Sequence, residues 1–333
     1  MRAILWAALL ISLGAVLPDA ARAQANPDWH RAIPGFRIAG NLYYVGTADL
    51  AAYLIVTPDG NIAINGNFKE DVPAIRKSIE GLGFKYSDTK IVLISHAHGD
   101  HDEGVGLLKS DTGAKLMVMD ADVAAVESTA PGRPGAKVDR VLHDRDTVEL
   151  GGAKLTARLT PGHTPGCTTW TMQVADGGRT LNAVIIGSPN VNAGYILVNN
   201  KNYPQIAGDY VKTFALLKTL PVDLFLGAHG AYFNLKDKLP KMTAGGPNVF
   251  VDPEGYKAYV AEREQAFEKE LAKQTAGARA GDAVGFEVAA VLAELKAKGV
   301  KMAFEMRDNP GTAFAFIRDN AGNAIELIEH KTR

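Results

Sequence analysis

Residues 96–101 read His-Ala-His-Gly-Asp-His, which puts three imidazoles and one carboxylate within six positions. All four are transition-metal ligands of a type that suits zinc, iron or manganese. On a tight loop this spacing fits two metals better than one. His96 and His98 can point to one centre while Asp100 and His101 point to another. Two further histidines sit in comparable settings. His163 lies in Thr160-Pro-Gly-His-Thr-Pro-Gly166, where two prolines and two glycines hold the backbone as a preorganised ligand requires. His229 lies in Leu224-Phe-Leu-Gly-Ala-His-Gly230. His30, His143 and His330 lack such settings and read as surface or structural residues. Cys167, the only cysteine, reads as a small buried hydrophobe with no redox or nucleophilic role.

Something must bring these loops together, and the flanking residues indicate what. The first loop follows the apolar run Ile91-Val92-Leu93-Ile94-Ser95, and the runs 154–159 and 222–227 precede the other two. Further strands are expected at 41–45, 53–56, 61–64, 114–119 and 182–187, with Thr57-Pro-Asp-Gly60 as a turn. Val72, Ile75, Ile79 and Leu82 recur at helical spacing over 71–82, and another helix is expected after Gly104. Alternating strands and helices predict a layered α/β domain whose strand-end loops carry the chemistry. Residues 271–281 are small, polar and weakly periodic, and read as a helix end running into a linker. Beyond it the order is β-α-β-β-β: a strand at 284–288, a helix at 290–299, and strands at 301–306, 312–318 and 324–329. Arg318-Asp-Asn-Ala-Gly-Asn323 makes the last hairpin turn.

The bulk numbers narrow the class. The chain has 333 residues, 47% of them hydrophobic and 22% charged, as an ordinary globular protein does. A net charge of −1 offers no basic field for nucleic acid. Met1-Arg2, the apolar stretch Ala3–Val16 and Ala21-Arg-Ala23 before Gln24 form a signal-peptide pattern too short for a transmembrane span. The mature protein is therefore expected to start near Gln24 and to work in the periplasm or outside the cell. With a single cysteine it has no internal disulfide, so its core must stabilise it.

His-x-His-x-Asp-His after a strand, then Pro-Gly-His, then a late Gly-x-His resembles the metallo-β-lactamase superfamily over about residues 36–273. Thr160–Trp170, Leu197-Val-Asn-Asn200 and the Asp-Pro-x-Gly-Tyr-x-x-Tyr pattern ending at Tyr259 resemble its subclass B3. The resemblance implies an αβ/βα sandwich over 24–275 with a zinc pair in the groove between its sheets. By that resemblance His96, His98 and His163 bind one zinc, and Asp100, His101 and His229 bind the other. Asp100 is also taken as catalytic. The implied reaction is hydrolysis of a β-lactam amide by a metal-bound hydroxide, zinc having brought water toward a pKa of ~7.

Related hydrolases share the fold, which alone does not choose among them. Glyoxalase II-like thioesterases and lactonases generally carry a metal-bridging Asp after the strand where this chain has Val184-Ile-Ile-Gly-Ser188. Ser188 favours the β-lactamase reading over those alternatives. Ser188 and Asn190 are expected to hydrogen-bond the substrate carboxylate, directly or through water. Two departures from the usual pattern are Gly66 and the pair Asp102-Glu103, whose carboxylates would stand at the mouth. After a linker at 276–282, residues 283–333 resemble a single glyoxalase/bleomycin-resistance module of βαβββ form. Glu326 matches a metal ligand of that family, but its partner position near Ala283 or Val284 offers none, so no second metal site is expected. Such modules work in pairs, which points to a binding element or a homodimer contact.

Overall fold

The computed structural model describes residues 26–129, 135–243, 245–281, 302–309, 312–318 and 324–330. The segment read as a signal peptide lies outside these residues, as do the strand and helix expected over 284–299.

Strands β1 (Phe36–Ala39), β2 (Leu42–Tyr44), β3 (Tyr53–Thr57) and β4 (Gly60–Ile64) form an antiparallel meander. Three parallel strands extend the same sheet: β5 (Thr89–Leu93), β6 (Lys115–Met119) and β7 (Arg140–Leu142). Parallel neighbours need crossovers, and helices supply them. They are α1 (Val72–Gly81) after β4, then α2 (Gly99–Asp102) and α3 (Val105–Thr112) after β5, and α4 (Asp120–Glu127) after β6. Leu54, Ala63, Val92, Ile94, Leu116 and Val118 join Val72, Ile75, Ile79, Val105, Leu108 and Val126 in one apolar cluster. Tyr53, Ile55, Ile62, Ile64 and Leu93, at the alternate positions, are buried too. Coverage on both faces explains why 91–94 reads as an unbroken apolar run instead of an alternating one.

The second sheet has the order β12-β11-β10-β9-β8. Its members are β8 (Thr147–Leu150), β9 (Ala153–Leu159), β10 (Thr168–Asp176), β11 (Arg179–Ile186) and β12 (Leu224–Gly227). Helix α5 (Ile206–Leu217) precedes β12, which pairs in parallel with β11; the other pairs are antiparallel. Buried hydrogen bonds join the two sheets. Trp170 Nε1 donates to the Ile94 carbonyl at 2.9 Å, and the Tyr53 hydroxyl donates to the Gly227 carbonyl at 2.7 Å. This is the mixed α/β architecture, two sheets packed with helices, that the strand pattern predicts.

Strand direction decides where the loops emerge. β9 and β11 each run antiparallel to β10, and β12 runs parallel to β11. All three therefore end at one edge, where the segments 160–166, 187–190 and 228–230 leave the sheet. Thr168 N donates to the Ser95 carbonyl at 2.7 Å, tying that edge to the exit of β5.

Short α6 (Leu235–Lys238) is followed by the long α7 (Pro253–Gly281). Helix α7 corrects the linker expected from 276, since the chain stays helical through Gly281. Ala276, Ala278, Arg279 and Ala280 are strong helix formers, and the lone Gly277 costs only about 1 kcal/mol. The tail strands β13 (Met302–Asn309), β14 (Thr312–Arg318) and β15 (Ala324–His330) form an antiparallel sheet, with Arg318 facing Ala324 across the expected turn. Two compact units result. Among the described residues, one comprises those up to Asn190 with Asp209–Glu262, and the other comprises Val191–Gly208 with those from Arg263 onward. The two sheets of the sandwich belong to the first unit and the tail sheet to the second. Among the described residues no helix is long and apolar enough to cross a membrane.

Candidate metal centre

The loop after β5 turns sharply, with the His98 amide reaching the His96 carbonyl at 3.0 Å, and α2 begins immediately. This geometry sends His96 and His98 one way and Asp100 and His101 another. An asparagine brace holds the loop in place. Asn65, at φ 67°, accepts from Ser95 N through Oδ1 at 2.8 Å and donates to the Ala51 carbonyl at 3.0 Å. Asparagine tolerates this left-handed conformation better than other residues with a side chain. Gly66, flagged as a departure, has its own reason. Its N–H donates to the His101 carbonyl at 2.9 Å, and a Cβ there would lie 2.7 Å from Val105 N.

The ligand-capable atoms of His96, His98 and His163 lie within 4.8 Å of one another. Their rings meet almost at right angles, with centroids 4.5–4.8 Å apart and interplanar angles of 75–88°. His163 Nδ1 donates to the Asn190 carbonyl at 2.8 Å, which leaves Nε2 as its lone-pair nitrogen. His96 Nδ1 lies 3.2 Å from Ser95 Oγ, while its Nε2 is buried with no hydrogen-bond partner. An orphaned buried nitrogen costs free energy unless something binds it.

A second triangle lies beside the first. Asp100 Oδ2, His101 Nε2 and His229 Nε2 are separated by 3.3, 3.3 and 3.2 Å. Donors at the corners of a tetrahedron around zinc, with bonds of 2.0–2.1 Å, stand roughly 3.3–3.4 Å apart. The described side chains therefore already have the spacing that such an ion requires. The His96 and His101 rings are 4.3 Å apart, and the donors of His96, Asp100 and His101 again fall within 4.8 Å, so the two triangles are adjacent.

The electrostatics differ between the two triangles. Burial pushes the pKa of His96 well down and that of His163 to about 3, and neighbouring imidazoles add to both shifts. Both rings are thus neutral lone-pair donors. Burial would raise Asp100, but His101 and His229 outweigh it and hold the carboxyl far below the usual range. Burial likewise lowers His229, yet Asp100 and Asp49 overcome this and raise it to about 9.

Asp49 escaped the sequence reading. It is 7% exposed, accepts His229 Nδ1–H at 3.2 Å and Trp29 Nε1–H at 3.1 Å through Oδ2, and accepts Ala231 N through Oδ1 at 2.8 Å. A carboxylate behind a ligating imidazole fixes its tautomer and makes it a better donor. Asp49 lies 180 residues from His229. No motif links them; only the pairing of Leu50 with His229 does.

Other expectations need correction. Ser188 does not line the groove openly. It is 1% exposed and its Oγ lies 3.0 Å from the Tyr232 hydroxyl. Asn190 is half-buried, and its carbonyl also accepts from Tyr210 at 2.6 Å. Asp102 is buried at 5% exposure within α2 and is not a mouth carboxylate; Glu103 is half-buried. Cys167 is fully buried, as a small hydrophobe should be, with its thiol pushed up to about 12 by burial. His30 pairs with Asp71 at 3.0 Å, and His143 is 68% exposed, as residues outside the site should be.

Comparison with known proteins bears on the same residues. Residues 51–229 match the model of the metallo-beta-lactamase superfamily. The FEZ-1 metallo-beta-lactamase from Legionella gormanii is 52% identical, with a TM-score of 0.72, covering 74% of this chain and 98% of that one. BJP-1, a subclass B3 metallo-beta-lactamase of Bradyrhizobium japonicum, is 37% identical, with a TM-score of 0.71, covering 75% and 98%. The human mitochondrial persulfide dioxygenase ETHE1 is 32% identical over 117 residues, 35% of this chain and 41% of its own length. The chain thus spans about a third to two-fifths of the curated relatives it matches.

Proposed function

Because the chain belongs to the metallo-beta-lactamase superfamily, we propose that it is a zinc-dependent hydrolase of the β-lactam amide bond, of the subclass B3 kind. His96, His98 and His163 hold one zinc; Asp100, His101 and His229 hold the other. The observation that carries this reading is the second triangle, three donors from two distant loops at 3.2–3.3 Å. The orphaned Nε2 of His96 supports the first centre independently. Zinc bound there supplies a Lewis acid for the lactam carbonyl and an activated water near neutral pH.

The chain's own residues do the rest. Asn190 and Asp49 hold His163 and His229 in the tautomers that turn Nε2 inward. Even with Asp100 ionised, each zinc-loaded centre would carry net positive charge and so attract the carboxylate of a β-lactam. Asn190 receives that carboxylate at the rim, and Ser188 contributes from behind through water. Ser188 at the exit of β11 also separates this reading from a lactonase or glyoxalase II-like thioesterase, which generally carries a bridging Asp at that point. Export directed by residues 1–23 fits an enzyme that meets antibiotics outside the cytoplasm. The residues from 283 onward act as a separate binding or dimerising element.

The test is direct. Purified protein, zinc-loaded and chelator-treated, is assayed against a β-lactam panel, an acyl-homoserine lactone and a glutathione thioester. Zinc-dependent hydrolysis of β-lactams is expected. Turnover of the lactone or thioester with no β-lactam hydrolysed would overturn the reading.

A further inference from the structure

Asp122, on the first turn of α4, is 1% exposed. Its Oδ2 accepts Ala97 N–H at 2.9 Å and the Thr164 hydroxyl at 2.8 Å, and its Oδ1 accepts Gly166 N–H at 2.7 Å. Ala97 stands between His96 and His98, and Thr164 directly follows His163. One buried carboxylate thus bonds the two loops that supply the triad, next to each of its three histidines. The fit is close: a Cβ on Gly166 would lie 2.6 Å from Asp122 Cγ and from its N. That contact explains the second glycine of the Pro-Gly-His-Thr-Pro-Gly turn.

We propose that Asp122 is a positioning residue that locks the 160–166 turn onto the 95–98 loop and so sets the spacing of the His96, His98 and His163 donors. The proposal rests on the metal-binding part of the function above and not on the substrate. Asp122 touches no ligand side chain through these bonds; it acts on the backbone beside them. Asp49 instead bonds His229 of the second triangle, so Asp49 and Asp122 act on different centres.

Asp122→Asn is nearly isosteric but supplies one oxygen where the carboxylate supplies two. Either way the amide lies, its NH2 faces a backbone N–H, of Gly166 or of Ala97. Metal-free protein is titrated with zinc against a chromophoric chelator, with each variant also made in a His229→Ala background to report the first centre alone. First-centre affinity should fall 10–100-fold, and Asp122→Asn should change second-centre affinity by less than about threefold. The visible spectrum of the cobalt(II)-substituted first centre should shift with it, which a merely weakened fold would not produce. Thr164→Val removes one donor only and should give a smaller loss in the same direction. It decides the matter if Asp122→Asn does not fold. Unchanged first-centre affinity in the variant, or equal weakening of both centres, would overturn the proposal. Wild-type protein that binds two zincs but hydrolyses no β-lactam would defeat the functional reading and leave this test standing.

Discussion

Replacing Asp49 with asparagine should weaken the second metal centre in a way that depends on pH. In the metal-free protein, His229 lies between Asp49 and Asp100 with a pKa raised to about 9. Binding zinc through Nε2 requires that proton to leave. Raising the pH toward 9 should therefore increase second-centre affinity about tenfold per unit, with a plateau above. At pH 7 the wild type stands roughly two units below the plateau, a deficit of about 2.7 kcal/mol. Asp49→Asn removes one of the two carboxylates, so the pKa of His229 falls toward 6.5 and the plateau begins at lower pH. The same change replaces the charged acceptor behind the ring with a neutral amide oxygen, which weakens the bond that orients the ring and lowers its basicity, a loss on the order of 10–100-fold in affinity. The two effects oppose each other at pH 7, and only the loss remains above pH 9. The ratio of wild-type to variant affinity should thus be small at pH 7 and largest above pH 9. Chelator-buffered zinc titrations from pH 6.5 to 9.5 measure it, and hydrolysis of the free ion cancels in the ratio. A ratio that is largest at pH 7 and shrinks toward pH 9, or an equal effect on the first centre, would refute the reasoning.

Three simpler outcomes follow from other contacts. His163→Ala should abolish zinc uptake at the first centre and reduce β-lactam hydrolysis by at least about a thousandfold, since losing a ligand outweighs the loss of any residue behind it; metal analysis and initial rates check both. Cys167→Ser should leave turnover within about twofold, and the native thiol should resist iodoacetamide at pH 8, because a buried thiol pushed up to about 12 presents almost no thiolate. Trp170→Phe removes the indole bond to the Ile94 carbonyl and leaves that buried acceptor unpaired, a destabilisation of about 1–3 kcal/mol readable in urea denaturation midpoints.

Much of the site is legible before any folding is considered. The ligands of each loop are neighbours along the chain, and the strands that deliver them are buried on both faces, so Ile91–Ile94 announces the loop that follows. The prolines and glycines around His163 declare a fixed turn for a similar local reason. The helix at 72–81 and the tail strands were equally readable, because periodicity is a property of adjacent residues. Weak periodicity from 276 suggests a linker, but the helix propensity of alanine carries α7 on to Gly281.

Residue chemistry and local pattern thus determine which side chains can bind metal and which strands present them. Only the tertiary structure decides that β9, β11 and β12 end at one edge, and that this edge meets the exit of β5. It alone makes Asp100, His101 and His229 corners of one triangle, and it alone encloses Ser188 and Asp102. Asp49 and Asp122 belong to the same class. Each is one carboxylate among many in a chain with 37 acidic residues, and neither carries a spacing signal. Hydrogen bonding to a distant imidazole or loop amide depends on distance through space, and a sequence records only distance along the chain.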